Sequence, residues 1–282
     1  MNRISVETRI HDAMQRLTAA EKRAARALLA NYPTLGLAPV AEFAKAADAS
    51  PATVLRFVAQ IAFESYPDFQ RQLRDELEER MKSPLQKGPP PARKGGDPDF
   101  LAHFAAQLSA NMANTAARLP ASEFEAVCAR LADPRAACHL LGGRFTDAIA
   151  AYMTAHLRIV RPGVRKLDER AASRADQVLD VAAGDVAIIL DIRRYDQNLL
   201  SMAKVIKARR ASIILITDSW ISPVSRYAKY VLPCSVDMGR TWDSSATLLM
   251  VAEAILARVT ELSWDKASAR IGAIEHLQRD PD

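Results

Sequence analysis

The apolar residues in the first third of the chain recur at helical spacing. Positions i, i+3, i+4 and i+7 are occupied by Val40, Phe43, Ala44 and Ala47, which places them on one face of a helix. The pattern breaks at Asp48, after which Ser50 suits a helix N-cap and Pro51 suits the first helical position. The pattern in residues 39–73 therefore predicts two helices joined by a short turn, with the second helix beginning after Ser50.

The second helix is expected to have a buried face and a polar face. The predicted inward residues are Val54, Leu55, Val58 and Ile61, and the predicted polar stripe is Thr53, Arg56 and Gln60 at i, i+3 and i+7. Arginine suits guanine or phosphate, glutamine suits adenine, and a hydroxyl near a helix start suits a backbone oxygen of DNA. The candidate DNA-binding residues are Ser50, Pro51, Thr53, Arg56 and Gln60. The alternative is an ordinary helical hairpin whose polar face is solvated.

Two further helical stretches precede this hairpin. One spans about Thr8 to Leu17, and the next is opened by Thr18, with Glu21 three residues later as a capping box, and stops at Pro33. Residues 1–82 therefore predict an all-α helix-turn-helix bundle of about five short helices.

A change of composition follows this bundle. Residues 83–99 hold five of the fifteen prolines and three of the ten glycines, which is typical of a flexible linker. A helical pattern returns from Phe100 to Leu119, so residues 100–282 are expected to form a second domain.

From Ala136 onward, short apolar segments alternate with amphipathic ones, which indicates an α/β domain with a five-stranded parallel sheet flanked by helices. The predicted strands are Ala137–Leu141, Val164–Leu167, Val186–Ile192, Ser212–Thr217 and Tyr230–Pro233. The predicted helices are Thr146–Leu157, Ala175–Val181, Asn198–Arg209, Pro223–Ala228 and Ser244–Glu261. Ligands bind such sheets beyond the carboxyl ends of the strands, so the loops that follow the strands are the candidate ligand site.

Composition narrows the class of protein. A hydrophobic content of 49% with 25% charged residues describes a soluble globular chain. No apolar run is long enough for a membrane span and the N-terminus lacks a signal-peptide core, so we expect a cytoplasmic protein without a membrane partner. The three cysteines and five histidines lack paired spacings, so we expect small buried cysteines and neither a metal nor a cofactor.

Charge alone does not identify a nucleic-acid binder. The formal net charge is +5, but residues 1–87 hold 13 basic against 11 acidic residues. A DNA-binding role therefore depends on where the basic side chains lie.

The chain resembles the RpiR (MurR/RpiR) family of bacterial transcriptional regulators from about Arg3 to Glu261. The resemblance is carried by LTAAEKRAARALLANY, ASPATVLRFV and IAFESYPDFQRQL in the first half, and by AGDVAIIL, ARRASIILITD and SPVSRYA in the second. It implies a sugar isomerase (SIS) domain that senses a metabolite, usually a phosphorylated sugar. It also implies a homodimer or homotetramer that binds a double-stranded DNA operator.

In SIS domains, loops of the type G-x-G-x-S and S-x-S-G-x-T hold the phosphate. The resemblance places the first loop on Gly142, Gly143, Arg144 and Thr146, and the second on Asp191, Arg193, Arg194 and Tyr195. Arginines replace most of the hydroxyl groups, and these would hold a phosphate or carboxylate by charge, which predicts an anionic ligand. Alternatively, the arginines pair with Asp191, Asp196 or a neighbouring subunit, and the domain serves only for oligomerisation.

Two further features have alternative interpretations. Ser244 and Ser245 begin a helix whose free amides could meet an anion, or they form an ordinary cap, with Asp243 or Ser244 as the capping residue. A phosphosugar isomerase would need a general base, for which Glu253 and His156 are available but lie within helices. We therefore expect a regulator rather than an enzyme.

Overall fold

A computed structural model describes residues 5–81, 84–88, 98–167 and 176–279. The chain divides into two compact units, Met1–Ser83 and Pro84–Asp282. Most of the predicted linker, residues 83 and 89–97, lies outside the described residues. Within the linker, Pro84–Lys87 forms one helical turn, and this turn belongs to the second unit.

The first unit is all-α, as predicted. Its helices are α1 (Val6–Ala13), α2 (Ala19–Ala30), α3 (Thr34–Leu37), α4 (Val40–Ala46), α5 (Pro51–Gln60) and α6 (Tyr66–Met81). The capping box is present, because Glu21 accepts hydrogen bonds from the backbone and hydroxyl of Thr18 while the Thr18 hydroxyl accepts from the Glu21 amide. The predicted helix Thr8–Leu17 begins earlier and ends at Ala13.

The core of this unit contains three fully buried phenylalanines. The Phe43 ring meets Phe57 edge to face, with 6.3 Å between centroids, so α4 and α5 are locked together. Phe69 on α6 packs beside Gly36, where an added Cβ would lie 2.3 Å from the Leu73 side chain. The helix pair α4–α5 is therefore part of a well-packed apolar core.

The second unit has the predicted five-stranded, all-parallel sheet. The strands are β1 (Cys138–Gly142), β2 (Val164–Lys166), β3 (Val186–Asp191), β4 (Ser212–Asp218) and β5 (Tyr230–Cys234). Their order is β2-β1-β3-β4-β5. The α-helices are α7 (Pro84–Lys87), α8 (Phe100–Arg118), α9 (Ala121–Ala132), α10 (Asp147–Val160), α11 (Gln197–Ala208), α12 (Ala246–Leu262) and α13 (Trp264–Arg279).

The central strands are buried on both faces. Ile188 and Leu190 of β3 join a core with α9, α10 and α12, while Ala187 and Ile189 join a second core with α11. This alternation follows from the two-residue period of a strand. Cys128, Cys138 and Cys234 are buried and free, as predicted for small core residues.

Several helices differ from the sequence prediction. The sequence pattern did not reveal α9 or α13, and the predicted helix Pro223–Ala228 is a 3₁₀ turn, Pro223–Arg226. The predicted helix Ala175–Val181 begins outside the described residues, and residues 176–179 are helical. Within the described ranges, no helix combines the length and apolar character needed to cross a membrane.

Candidate functional sites

The start of α5 is fixed by local chemistry. The Ser50 hydroxyl accepts a hydrogen bond from the Thr53 amide at 3.2 Å, and Pro51 occupies the first turn. The Ser50 hydroxyl thus satisfies an amide that has no partner within the helix. Pro51 lacks an amide hydrogen, but at this position that hydrogen would have no partner within the helix either. The helix therefore begins where the sequence predicted.

Two side chains of α5 do not lie where they were predicted. Leu55 is 45% exposed, and Phe57 occupies the core position instead. Since successive residues are rotated by about 100° around a helix, the face that contains Val54, Phe57 and Val58 leaves Leu55 outside it. The prediction of an inward Leu55 is wrong.

Thr53 was predicted on the polar face, but it is only 6% exposed. It precedes Phe57 by one turn and so shares the buried face. Its hydroxyl lies 2.9 Å from the Ser50 hydroxyl and accepts a hydrogen bond from Arg56 Nη2 at 3.3 Å. The placement of Thr53 in an exposed stripe is therefore wrong, and its hydroxyl instead holds Ser50 and Arg56 in place.

The exposed face of α5 combines basic, polar and apolar side chains. It consists of Ala52, Leu55, Arg56, Ala59 and Gln60, with Ser50 and Pro51 exposed at the start of the helix. The predicted DNA contacts Ser50, Pro51, Arg56 and Gln60 are thus all exposed, with Arg56 and Gln60 one turn apart on the same face.

Three arginines from α1, α2 and the turn between them bind carbonyl groups around α5. Arg23 donates to the Asp48 carbonyl before the helix, at 3.0 Å, while Arg16 donates to Gln60 and Arg9 to Ala62 at its end, each at 2.8 Å. Carbonyl acceptors are neutral, so these three contacts do not themselves neutralise the guanidinium charges, and Arg9 also interacts with the buried Glu76 carboxyl group and the Phe63 ring. Sequence analysis did not reveal that these three arginines surround α5, because the contacts join residues 25 to 53 positions apart.

A cavity of about 340 Å³ opens in the second unit between the loops that follow β1 and β3. In the strand order β2-β1-β3-β4-β5, this is the point at which the order reverses, where open α/β sheets bind ligands. The cavity is lined by Gly143, Arg144, Phe145, Thr146, Asp191, Ile192, Arg193, Arg194, Tyr195, Asp196 and Gln197. Seven of the predicted ligand residues are among them.

Gly142 and Thr146 build the loop after β1. A Cβ on Gly142 would lie 2.3 Å from the Asp147 backbone nitrogen, so the start of α10 can approach β1 only because this residue is glycine. The Thr146 hydroxyl donates to the Leu190 carbonyl at 2.6 Å and accepts from the Gly143 amide at 2.8 Å. Gly142 does not line the cavity. The Thr146 hydroxyl already donates one hydrogen bond and accepts another within the protein.

Arg193 is the buried cation of the cavity and is 5% exposed. Its Nη2 atom pairs with Asp243 and lies 3.4 Å from Asp237. The predicted partners Asp191 and Asp196 are therefore replaced by acidic residues from the loop after β5. Its Nε and Nη1 atoms are buried and have no acceptor in the described residues.

Further charged groups surround this ion pair. Lys87 Nζ lies 3.0 Å from Asp243 and 3.7 Å from Asp237, so two cations share two carboxylates. Burial disfavours the charged guanidinium, but the nearby carboxylates of Asp243, Asp237 and Asp218 outweigh it and raise the pKa of Arg193. Arg193 thus remains a cation.

Two carboxyl groups near the cavity are buried, Asp191 in its lining and Asp218 outside the lining. Burial raises the pKa of Asp191 to about 7, although the Ser222 hydroxyl donates to it at 2.5 Å. Burial also raises the pKa of Asp218, which accepts a hydrogen bond from the Tyr195 hydroxyl at 2.8 Å. Near neutral pH, Asp191 is therefore partly protonated and repels an anion less than an ordinary aspartate does.

The rim of the cavity includes Arg144, Phe145 and Arg194, and Trp242 packs against Phe145 beside it. The Phe145 and Trp242 rings meet edge to face at 6.0 Å and are 50% and 56% exposed. The Arg194 guanidinium lies 5.8 Å from the Trp242 centroid and 6.0 Å from that of Phe145. Neither rim arginine has a carboxylate partner in the described part of the chain, and sequence analysis missed both aromatic residues.

The remaining candidates lie outside the cavity lining. The Ser244 hydroxyl accepts from the Ala246 amide at 3.3 Å, as in a cap, and Ser245 makes no side-chain capping bond. Glu253 accepts from Tyr152 at 2.9 Å and His156 packs on the same tyrosine ring, and both are exposed side chains of α12 and α10. These two potential bases are not beside the cavity.

Comparisons with known proteins agree with this architecture. Residues 4–80 match the model of the helix-turn-helix domain of the rpiR family, and residues 132–258 match that of the SIS domain. No curated protein matches the chain significantly in sequence.

Solved structures share the fold at low sequence identity. The sugar isomerase domain of an RpiR transcription factor from Sphaerobacter thermophilus is 19% identical, with a TM-score of 0.58, over 63% of this chain and 98% of that one. The Vibrio vulnificus NanR protein, complexed with ManNAc-6P, is 14% identical, with a TM-score of 0.55, over 97% of this chain and 98% of that one. The chain thus combines an N-terminal helix-turn-helix domain of the rpiR family with a C-terminal SIS domain.

Proposed function

We propose that the chain is a DNA-binding transcriptional regulator whose SIS domain binds an anionic metabolite, and that this ligand changes its affinity for operator DNA. The observation that supports the ligand most strongly is Arg193, a buried cation at the cavity, two of whose nitrogen atoms have no acceptor among the described residues. Unsatisfied buried donors are rare because each costs free energy, and an anion that binds against the Arg193 guanidinium would supply acceptors and negative charge.

The rim supports the same class of ligand. Arg144 and Arg194 add two positive charges at the cavity entrance, while Phe145 and Trp242 offer apolar faces. An anionic group could bind the arginines while the body of a small molecule packs against the rings. A sugar phosphate has both parts, and NanR, a protein of the same fold, is described in complex with ManNAc-6P.

The helix-turn-helix unit supports the proposed DNA binding. Arg56 and Gln60 are exposed on α5, and Arg9, Arg16 and Arg23 surround its ends. The exposed polar groups suit base edges, and the surrounding cations suit phosphates.

Binding of the full-length protein to DNA from a random-sequence pool tests this part. We expect enrichment of a pseudo-palindromic sequence, because regulators of this type bind as symmetric oligomers. Arg56→Ala should weaken binding to that sequence by about 10-fold or more, in the range of a lost base contact. Equal binding by the wild type and Arg56→Ala would remove Arg56 from the interface.

Ligand binding is tested by thermal unfolding with sugar phosphates and other phosphorylated or carboxylated metabolites. A ligand at 100 times its Kd stabilises the native state by about 2.7 kcal/mol. Arg194→Ala should abolish that stabilisation, whereas Lys207→Ala, at an exposed site near the far end of α11, should retain it. The same ligand should alter DNA binding by the wild type but not by Arg194→Ala. Absence of stabilisation by every anion would favour a domain that only oligomerises.

A further inference from the structure

Leu55 is an unusual side chain on the surface of the first unit. Among the side chains described in residues 5–81, it is the only large apolar one with such high exposure, at 45%. Ala52 and Ala59 lie on the same face, at i−3 and i+4, and both are exposed. Because the alanines are short, Leu55 projects from this face beyond its apolar neighbours.

The position of Leu55 suggests what it contacts. It is adjacent to Arg56 on the face of α5 that carries the accessible polar residues. In the major groove of DNA, the C5-methyl group of thymine is the apolar group that a side chain can contact. We infer that Leu55 recognises a thymine methyl group in the operator, an inference that depends on the proposed DNA-binding function.

The surroundings of Leu55 favour DNA over a protein partner. The apolar strip is narrow, since Arg56 and Gln60 lie along one side of it and the backbone carbonyl of Gln60 holds Arg16. Positive charge around a narrow apolar strip matches a polyanion that presents a single methyl group. One leucine with two alanines is also a small contact for a stable protein interface.

Replacement of thymine by deoxyuridine tests the inference, because it removes only the methyl group. The wild-type protein first selects its operator from random DNA, and each thymine is then replaced singly. We expect one position in each half-site at which the replacement weakens binding about fourfold, the factor for transfer of one methyl group. Replacement of thymines in the flanking DNA is the matched control and should change nothing.

The protein variants complete a double-mutant cycle. In Leu55→Ala, the loss of affinity caused by deoxyuridine at the sensitive position should disappear. Arg56→Ala binds more weakly overall but should keep the fourfold methyl dependence. Leu55→Ala should unfold at the wild-type temperature, since the side chain is exposed.

Three outcomes would overturn the inference. Leu55→Ala could retain the full methyl dependence, or no thymine could show one. Leu55→Ala could also change the oligomeric state in sedimentation while the methyl dependence persists, which would assign Leu55 to a protein contact. If the wild type selects no DNA sequence, the proposed function fails as well, so the two failures are distinguishable.

Discussion

Two adjacent glycines in the loop after β1 have different physical roles. An added Cβ at Gly142 would lie 2.3 to 2.6 Å from backbone atoms of Thr146 and Asp147, whereas at Gly143 its nearest neighbour would be 3.6 Å away. Gly142→Ala should therefore destabilise the SIS domain by about 1–3 kcal/mol, the usual cost of overpacking. Gly143→Ala is the matched control and should be close to neutral.

Tryptophan fluorescence during urea unfolding can measure this difference, because Trp220, Trp242 and Trp264 all lie in the second unit. The two variants should have similar slopes with urea but different midpoints. Equal midpoints would show that the backbone around Gly142 adjusts without cost.

Asp191 makes the stability of the SIS domain depend on pH. Its pKa rises from an ordinary value of 3.8 to about 7 because the carboxyl group is buried. The folded protein therefore holds this proton more tightly than the unfolded chain, and ionisation opposes folding. The contribution of Asp191 to stability is fully present below about pH 4 and is lost as pH rises through 7, with a total on the order of 4 kcal/mol.

Asp191→Asn cannot ionise and should escape this loss. Its free energy of unfolding, relative to the wild type, should rise between about pH 4 and pH 7 and then level off. Asp133→Asn is the control, because a hydrogen bond from Arg135 lowers the pKa of that half-buried carboxyl group. A difference between Asp191→Asn and the wild type that stays constant with pH would contradict the buried ionisation.

At the start of α5, two substitutions of Ser50 distinguish its role as a helix cap from a contact with DNA. The Ser50 hydroxyl caps α5, so Ser50→Ala should lower the stability of the first unit by about 1 kcal/mol. Aspartate is an equally good cap, so Ser50→Asp should retain stability. Its added negative charge should nevertheless weaken DNA binding if Ser50 lies near a phosphate.

Circular dichroism during thermal unfolding and electrophoretic mobility shift measure the two properties separately. Wild-type DNA affinity in Ser50→Asp would leave Ser50 with a capping role only.

Elements with a strong local signal were predictable from the sequence. The Thr18 capping box, the Ser50–Pro51 helix start and the five strands each depend on residues close together in the chain. The helices α9 and α13 were missed because no comparable capping or turn signal distinguished them.

Contacts between distant segments could not be predicted in the same way. Arg193 pairs with Asp243, fifty positions away, and Trp242 packs against Phe145 from the loop after β5. The orientation of Leu55 was mistaken because leucine and phenylalanine are both apolar, and only packing against Phe43 selects Phe57 for the core.

For the whole molecule, placement of charge matters more than its total. The net charge is +5, yet residues 1–87 contribute only 13 basic against 11 acidic residues. Arg9, Arg16 and Arg23 nevertheless gather around α5, while Arg144, Arg193 and Arg194 gather at the SIS cavity. Each domain thus concentrates cations where an anionic partner is proposed, one a polymer and the other a small molecule.

The salt dependence of DNA binding distinguishes the charged contacts from the apolar one. Arg23→Gln keeps a donor for the Asp48 carbonyl but removes the positive charge. For each phosphate contact that is lost with this charge, the slope of log K against log salt should become about 0.9 less steep. Leu55→Ala should lower the affinity by a similar factor at every salt concentration and leave the slope unchanged, because no counterion is released at a methyl group. Titrations of one operator between about 50 and 200 mM salt measure both quantities. A slope that changes in Leu55→Ala but not in Arg23→Gln would reverse the assignment, since only a charged contact couples binding to counterions.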